Sequence, residues 1–501
     1  MTPVERPCHC AVTRSSYPNF VRTGAADRDA GCRGPPLGLL NLCTAPHKSD
    51  PTMRSLLLLT AASLLVTPVH AETVTVLKAP EIVIGDFTPP APGAKTLHLT
   101  VGFGSALFRD PKAPAGTVFG LADRGANLTC DDAKDVYGVE PEVACPALGG
   151  LKAGEGRLYP SPDYQIAIYE LKLDPAAKTF AVTRTIPLKT PAGKPVSGLL
   201  NPLKVAKTEK GRDGAGRPLP ADPNAIDAEG LVRLPDGRFF VSEENATGIV
   251  EVSADGTITR RFVPAGTEGD YAAADYPVVG SLPAILAKRN SNRGLESLAL
   301  SEDGRFLYTL VQNPLANPDG KTYNGAVNTR LLKIEIGKAA DGMTTLIPVA
   351  EFVYQLDDWQ AFKALGATDA TKPSSLRISE MLHLGNEHFA VDERTDQIAK
   401  IFEISLQGAT NILGTLWDDA ATTPSLEQTK DLAAAKIAPV TKVERLVASS
   451  LGDKAAYPAK IEGMALDAEG SLVLINDNDF GITGEETRVL IVKDSGIGPR
   501  S

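Results

Sequence analysis

The sequence is poor in aromatic residues (6%) and in histidine, with six in 501 residues, and it holds only six cysteines. It also lacks an excess of basic residues: 51 Lys and Arg face 61 Asp and Glu, for a net charge of −10. A chain with that balance offers no basic face to nucleic-acid phosphates, so a nucleic-acid partner is excluded. No apolar run reaches the roughly 20 residues that a bilayer-spanning helix needs, so no transmembrane span is expected. There is no G-x-S-x-G elbow, which argues against an α/β-hydrolase serine esterase. Phosphate-binding loops and dinucleotide fingerprints are absent too, as is the His-beside-Arg signature of histidine acid phosphatases. What remains, with 43% hydrophobic and 22% charged residues, is an ordinary globular composition.

The one notable apolar run lies near the start. Met53 to Ala71 reads MRSLLLLTAASLLVTPVHA, with Arg54 as a basic flank, an apolar stretch from Ser55 to Val66, and small residues at Val69 and Ala71. This is the pattern of a secretory signal peptide over 53–71, with Glu72 as the mature start and a periplasmic or secreted destination. A signal peptide acts at an N-terminus, so residues 1–52, which show neither helical nor strand periodicity, read as a disordered leader from a mis-assigned start codon. The remaining 430 residues carry 44 basic and 57 acidic groups, a net −13. Four of the cysteines fall in the leader, leaving Cys130 and Cys145. In an exported chain this pair is expected to form a single disulfide closing a surface loop.

The mature chain repeats itself. Each unit runs from an acidic residue through a short apolar strand, a Gly-containing turn and a second strand to an acidic or amide cluster. One unit goes from Asp227-Ala-Glu229 through Asp236-Gly237 to Glu243-Glu244-Asn245, and the next from Asn292 and Glu296 through Asp303-Gly304 to Gln312-Asn313. Another goes from Glu380 through Gly385 to Asp392-Glu393-Arg394, and the last from Glu462 through Asp467 to Asn476-Asp477-Asn478-Asp479. A degenerate first copy spans Gly102 to Asn127, with Gly104-Ser105 where the others place Glu. The leading glutamates are 67, 84 and 82 residues apart. Apolar runs around Asp/Gly turns are hairpins. Between copies lie further strand pairs: 165–173 with 179–187, 249–252 with 257–263, and 331–336 with 344–353. Two hairpins per repeat make the four-stranded blade of an all-β propeller. Five units are clear; at about 70 residues per blade the chain would hold six, which is the favoured count, with five as the alternative. Residues 128–225 fit the repeat poorly and read as an insertion in a single domain over 72–501. Ser281–Lys288 and Thr429–Ala435 are expected as short helices in connections.

Residues recurring at one position in every blade form a ring around the central channel. Here they are Glu229, Glu296, Glu380 and Glu462 at strand starts and Asp123, Glu243, Glu393 and Asp477 near strand ends, accompanied by amides such as Asn476. Carboxylates converging on one axis repel unless a cation lies among them. Carboxylate and amide oxygens without His or Cys form a hard-cation set suited to Ca²⁺. Asp236, Asp303 and Asp467 read as turn residues instead. Arg124, Arg293, Arg394 and Lys460 recur beside the acids, either as ion pairs that neutralise the ring or as a clamp for a phosphate or other oxyanion. His383 and His388 with Glu387 have the wrong spacing for a zinc protease, and Gly385 places them in a hairpin.

The stretches Ala122-Asp123-Arg124-Gly125, Asp227-Ala-Glu229-Gly230, Glu243-Glu244-Asn245, Asn292-Arg293-Gly294-Leu295-Glu296, Ser379-Glu380, Asp392-Glu393-Arg394, Lys460-Ile461-Glu462-Gly463 and Asn476-Asp477-Asn478-Asp479-Phe480 resemble, in order, the phytase-like family known as "esterase-like activity of phytase". The resemblance covers about residues 97 to 492 and implies an exported bacterial protein acting on a small-molecule ester or phosphoester. The resulting expectation is a monomeric hydrolase of phosphoesters. Glu229, Glu296, Arg124, Arg293 and Lys460 would be its catalytic residues. Asp123, Glu229, Glu243, Glu296, Glu380, Glu393, Glu462, Asn476 and Asp477 would hold Ca²⁺. Two alternatives share the fold: a calcium-dependent lactonase or carboxylesterase, and a non-enzymatic binding module with structural calcium.

Overall fold

Each hairpin of the repeat forms, and the hairpins join into sheets whose inner strands are buried on both faces while the outermost strands are partly exposed. A computed structural model describes residues 72–146, 153–206, 208–452 and 456–500 of the chain. The leader over 1–52 and the signal sequence over 53–71 lie outside the described residues.

The first blade consists of strands Ala106–Phe108, Thr117–Leu121, Ala167–Asp174 and Thr179–Pro187. The second has Ala228–Arg233, Phe239–Glu243, Gly248–Val252 and Ile258–Pro264, with Val278–Leu282 added in parallel at its edge. Ala299–Leu300, Phe306–Leu310, Asn328–Lys338 and Thr344–Gln355 form the third blade; Arg377–Gly385, His388–Arg394, Ile398–Ser405 and Thr441–Ser449 form the fourth. In the fifth, Ile461–Leu466, Leu472–Asn476 and Arg488–Lys493 take their outer strand from the other end of the chain: Thr73–Lys78 pairs antiparallel with Arg488–Lys493. Residues directly after the expected cleavage site thus complete the last blade. Lys78 also pairs with Thr179 of the first blade, which joins two blades into one eight-stranded sheet.

The innermost strands touch one another in a closed cycle, first to second and so on to fifth and back to first. Apolar clusters fill the gap between every neighbouring pair. Phe119, Ile168, Leu231 and Phe239 join the first and second blades, and Val232, Phe240, Leu307 and Leu332 the second and third. Tyr308, Leu331, Met381 and Phe389 join the third and fourth, and Ala390, Ile401, Met464 and Leu474 the fourth and fifth. Val118, Leu171, Val473 and Ile475 close the circle. This two-sided burial is why the strands read as continuous apolar runs.

The described residues form five such sheets, not six. The chain that a sixth would take goes into the insertion and into long connections, such as residues 406–440. Of the insertion, Ala167–Asp174 and Thr179–Pro187 are the outer strands of the first blade. The rest is a cap with a small sheet of Leu128–Thr129, Gly156–Tyr159 and Lys210–Asp213 and two short helices, Ala133–Val136 and Pro141–Ala144. Cys130 and Cys145 form the expected disulfide, but in the interior of the cap rather than at its surface: they are 0% and 1% exposed. Of the two short helices expected in connections, the first forms in part, as the 3-10 helix Ala284–Lys288 after the strand Val278–Leu282, while residues 429–435 form none. His383 lies in the fourth-blade hairpin, stacked on Tyr308 and edge-on to Phe389.

Candidate functional site

In blades two to five the first strand carries a one-residue bulge near its start, and the recurring glutamate lies in it. The register shifts between Ala228 and Leu231, between Ile378 and Met381, and between Ile461 and Gly463, spans that hold Glu229, Glu380 and Glu462. In the third blade the same shift separates the Leu295–Val311 bridge from the Ala299–Tyr308 pair and holds Glu296. A bulge re-aims one side chain without disturbing the pairing on either side. The first blade pairs Ala106–Phe108 in straight register and has no glutamate at this place. The glycine after two of these glutamates admits the neighbouring blade. A Cβ on Gly230 would lie 2.7 Å from Leu298 N and 2.8 Å from Glu296 O, and one on Gly463 2.8 Å from Ala106 C.

The structure brings together Asp123, Asp227, Glu229, Glu244 and Glu296 at the end of the channel where these strands start. Carboxylate oxygens of Asp123, Asp227 and Glu229 lie within 4.8 Å of one another, and so do those of Glu229, Glu244 and Glu296. Burial, reinforced by the neighbouring carboxylates, pushes the Asp123, Glu229 and Glu296 carboxyls well above the ordinary range. Glu244 is pushed up to about 7 by burial, partly offset by Arg293. Arg124 Nε lies 3.1 Å from Asp227 Oδ1, and Arg293 Nη1 lies 2.9 Å from Glu244 Oε1. Glu462 and Asp477 flank the five. Glu462 is paired with Arg394 of the fourth blade, and Asp477 with Lys460 at 3.1 Å. Lys460 also contacts Asp479. Asn292 and Lys460 both adopt left-handed backbone, with φ of 52° each, a strained conformation for a non-glycine residue.

Four of the expected ion ligands have their side chains committed elsewhere. Glu243 ends its strand facing away from the five, 3.7 Å from Arg261 in the interior of the second blade. It is the next residue, Glu244, on the opposite side of the strand, that joins them. Glu393 accepts from Tyr354 Oη at 2.9 Å and pairs with Lys442 at 2.7 Å. The Asn476 side chain caps backbone, accepting from Arg488 N at 2.7 Å and donating to Asp477 O at 3.2 Å. Glu380 lies deeper in the channel, accepting from the backbone N–H of Met381 at 3.0 Å and of Leu107 at 3.3 Å.

The cap contributes a residue that the repeat pattern does not contain. Glu209, 5% exposed, accepts from Arg157 Nε at 3.0 Å, lies 3.4 Å from Arg124 Nη1 and accepts from Asn245 Nδ2 at 3.2 Å. It thereby fixes Arg124, whose Nη2 donates to Asn292 Oδ1 at 2.5 Å. On the other side of Arg293 from Glu244 opens a polar cavity of about 400 Å³, whose lining includes none of the five carboxylates. Arg293, Tyr323, Asn324, Lys372, Ser374 and Arg377 line it.

The chain resembles the Myceliophteria thermophila Cps50 (Swd1) β-propeller domain at 9% identity and a TM-score of 0.28, covering 82% of this chain and 99% of that one. The periplasmic gluconolactonase PpgL of Pseudomonas aeruginosa is similar at 11% identity and a TM-score of 0.25, over 81% and 92% of the two chains. An uncharacterized secreted protein of Arthroderma benhamiae is 27% identical over 143 residues, which is 26% of this chain and 28% of that protein. The family model described as "Phytase-like: Esterase-like activity of phytase" matches residues 145–480. The chain belongs to that family.

Proposed function

We propose that this phytase-like protein is an exported, cation-assisted hydrolase that cleaves phosphoesters at the acidic end of its channel. The observation that carries the reading is the set of five carboxylates, four buried and Asp123 half-buried, with guanidinium groups at both ends, beside a polar cavity. The family description supports hydrolysis of an ester. The signal-like segment over 53–71 and the secreted relative support export. No helix among the described residues is long and apolar enough to cross a membrane.

The donor set fits a hard divalent cation. All candidate ligands are oxygens, and the acceptors Glu296 Oε2, Gln312 Oε1 and Asn245 Oδ1 are buried without a hydrogen-bond partner. Asp123, Asp227, Glu229, Glu244 and Glu296 would hold Ca²⁺. When bound, it supplies Lewis-acid polarisation of the ester oxygen and charge to offset the transition state. The chain's own groups do the rest. Arg293 reaches both Glu244 and the cavity, so its remaining N–H groups can clamp a phosphoryl oxygen. Arg124, fixed by Glu209, Asp227 and Asn292, is rigid at the other end. Water attack requires a proton acceptor; Glu462 and Asp477, beside the five and paired with Arg394 and Lys460, are the carboxylates left for it.

The test is a panel of aryl phosphate monoesters and diesters, aryl acetates and simple lactones, assayed with and without EDTA and then with added Ca²⁺. The expected result is turnover of an aryl phosphate that EDTA abolishes and Ca²⁺ restores. Turnover of lactones alone would move the assignment to a lactonase on the same fold. Inactivity over the whole panel, with Ca²⁺ bound, would make the protein a binding module.

A further inference from the structure

We infer that the acidic end of the channel holds two divalent cations side by side, with Glu229 shared between them; this rests on the cation-assisted reading above. The five carboxylates form two sets rather than one. Asp123, Asp227 and Glu229 satisfy the 4.8 Å spacing together, as do Glu229, Glu244 and Glu296, and no larger set among the described residues does. A calcium ion binds oxygens at about 2.3–2.6 Å, so oxygens on opposite sides of one ion are separated by about 5 Å at most. Each set matches one ion; the five together exceed it. Glu229 is the only member of both, and a carboxylate has two oxygens to offer.

Unpartnered acceptors are divided in the same way. By the first set, Asn245 donates its backbone N–H to Asp227 Oδ2 at 3.1 Å, and its side-chain Oδ1 is buried with no partner. In the second, Glu296 Oε2 is buried with no partner, and so is Oε1 of the neighbouring Gln312. Asn245, Glu296 and Gln312 are 2%, 3% and 3% exposed. Buried oxygens left without a donor thus stand on both sides of Glu229, where a cation on each side would satisfy them.

Charge leads to the same number. Five carboxylates touch two guanidinium groups, Arg124 at Asp227 and Arg293 at Glu244. One divalent ion leaves the cluster anionic and hostile to an anionic substrate. Two bring it to a small positive charge that a phosphoester would complete.

The experiment is native mass spectrometry of the protein over 72–501 with Ca²⁺, alongside calorimetric titration of the EDTA-treated protein. Two ions per chain are expected. Asp227→Asn and Glu296→Gln should each retain one ion, and Glu229→Gln should retain none. Asp123→Asn serves for the first position if Asp227→Asn does not fold, as judged by its melting curve. A single ion in the wild type, displaced by both Asp227→Asn and Glu296→Gln, overturns the two-ion arrangement and leaves the cation-assisted reading standing. No bound ion overturns both.

Discussion

The Glu380 carboxylate of the fourth blade accepts a hydrogen bond from the backbone N–H of Leu107, in the first blade, at 3.3 Å. These blades are not neighbours, since the fifth lies between them, so the bond ties inner strands together across the channel. Glu380 also accepts from Met381 N at 3.0 Å and is 1% exposed. Its role is that of a clasp on the ring, below the acidic mouth. Glu380→Ala leaves buried N–H groups without an acceptor and should lower stability by about 2–3 kcal/mol in urea denaturation. Glu380→Gln keeps an acceptor oxygen and should lose less. Neither substitution should change the number of bound cations; a lost ion would place Glu380 among the ligands after all.

Glu209 offers a pH test of how Arg124 is held. Burial alone would raise its carboxyl, but Arg157 and Arg124 outweigh burial and hold it down to about 2, below the ordinary 4.5. The unfolded chain then binds the extra proton between those values, so the contribution is complete above about 4.5 and is lost as pH falls toward 2. Glu209→Gln should cost on the order of 3 kcal/mol at pH 7. The gap between wild type and variant should close progressively below pH 4.5. A gap unchanged at pH 3 would show that the ion pairs contribute nothing to stability.

The hairpins were legible because turn chemistry is local: Asp236-Gly237, Asp303-Gly304 and the Asp467–Gly470 turn lie where the sequence puts them, with φ of 93° at Gly237 and 69° at Gly304. The ring of glutamates was legible as a recurrence, but the bulges that aim them were not. A one-residue register shift leaves no mark in a single sequence, and it decides which face a side chain takes. For the same reason Glu244 and Asp227 could not be separated from their neighbours as site residues. Glu380 has the recurring place but not the recurring role, because the fourth blade fills the mouth with Arg394 and sends its glutamate down the channel. Glu209 belongs to the cap, outside the repeat, and only the tertiary fold carries it to Arg124.

The disulfide should act on stability and only indirectly on the site. It closes a loop with a sequence separation of 15 residues inside the cap that also delivers Arg157 and Glu209. Replacing Cys130 and Cys145 together by Ser should cost about 3 kcal/mol from restored chain entropy in the unfolded state. Guanidinium denaturation with and without reductant checks this. The variant, refolded at a temperature well below its midpoint, should still bind Ca²⁺.

Arg293 lies at the junction between the carboxylates and the polar cavity. If the cavity takes the anionic part of the substrate, Arg293→Lys should raise KM for an aryl phosphate roughly tenfold or more, since a single ammonium cannot reproduce the two-pronged geometry. Lys372→Met, also in the lining of the cavity, should have a smaller effect in the same direction. Unchanged KM in both variants would remove the cavity from substrate binding.

Adjacent glutamates at the end of one strand give the sharpest contrast. Glu243 and Glu244 differ by one position and point to opposite sides, the first to Arg261 in the interior and the second to Arg293 and the carboxylate cluster. Glu244→Gln removes a charge from the cluster and should weaken Ca²⁺ binding by tenfold or more while leaving the fold intact. Glu243→Gln should leave Ca²⁺ affinity unchanged and act on stability through Arg261, which is 0% exposed and would lose its carboxylate. A buried ion pair broken on one side typically costs about 3–5 kcal/mol. Burial holds Glu243 up at about 7, however, so near neutral pH the pair is only partly charged and the loss should fall below that range. Paired titrations of calcium and urea on the two variants separate these outcomes. If Glu243→Gln rather than Glu244→Gln abolishes calcium binding, then the side of the strand assigned to the site is the wrong one.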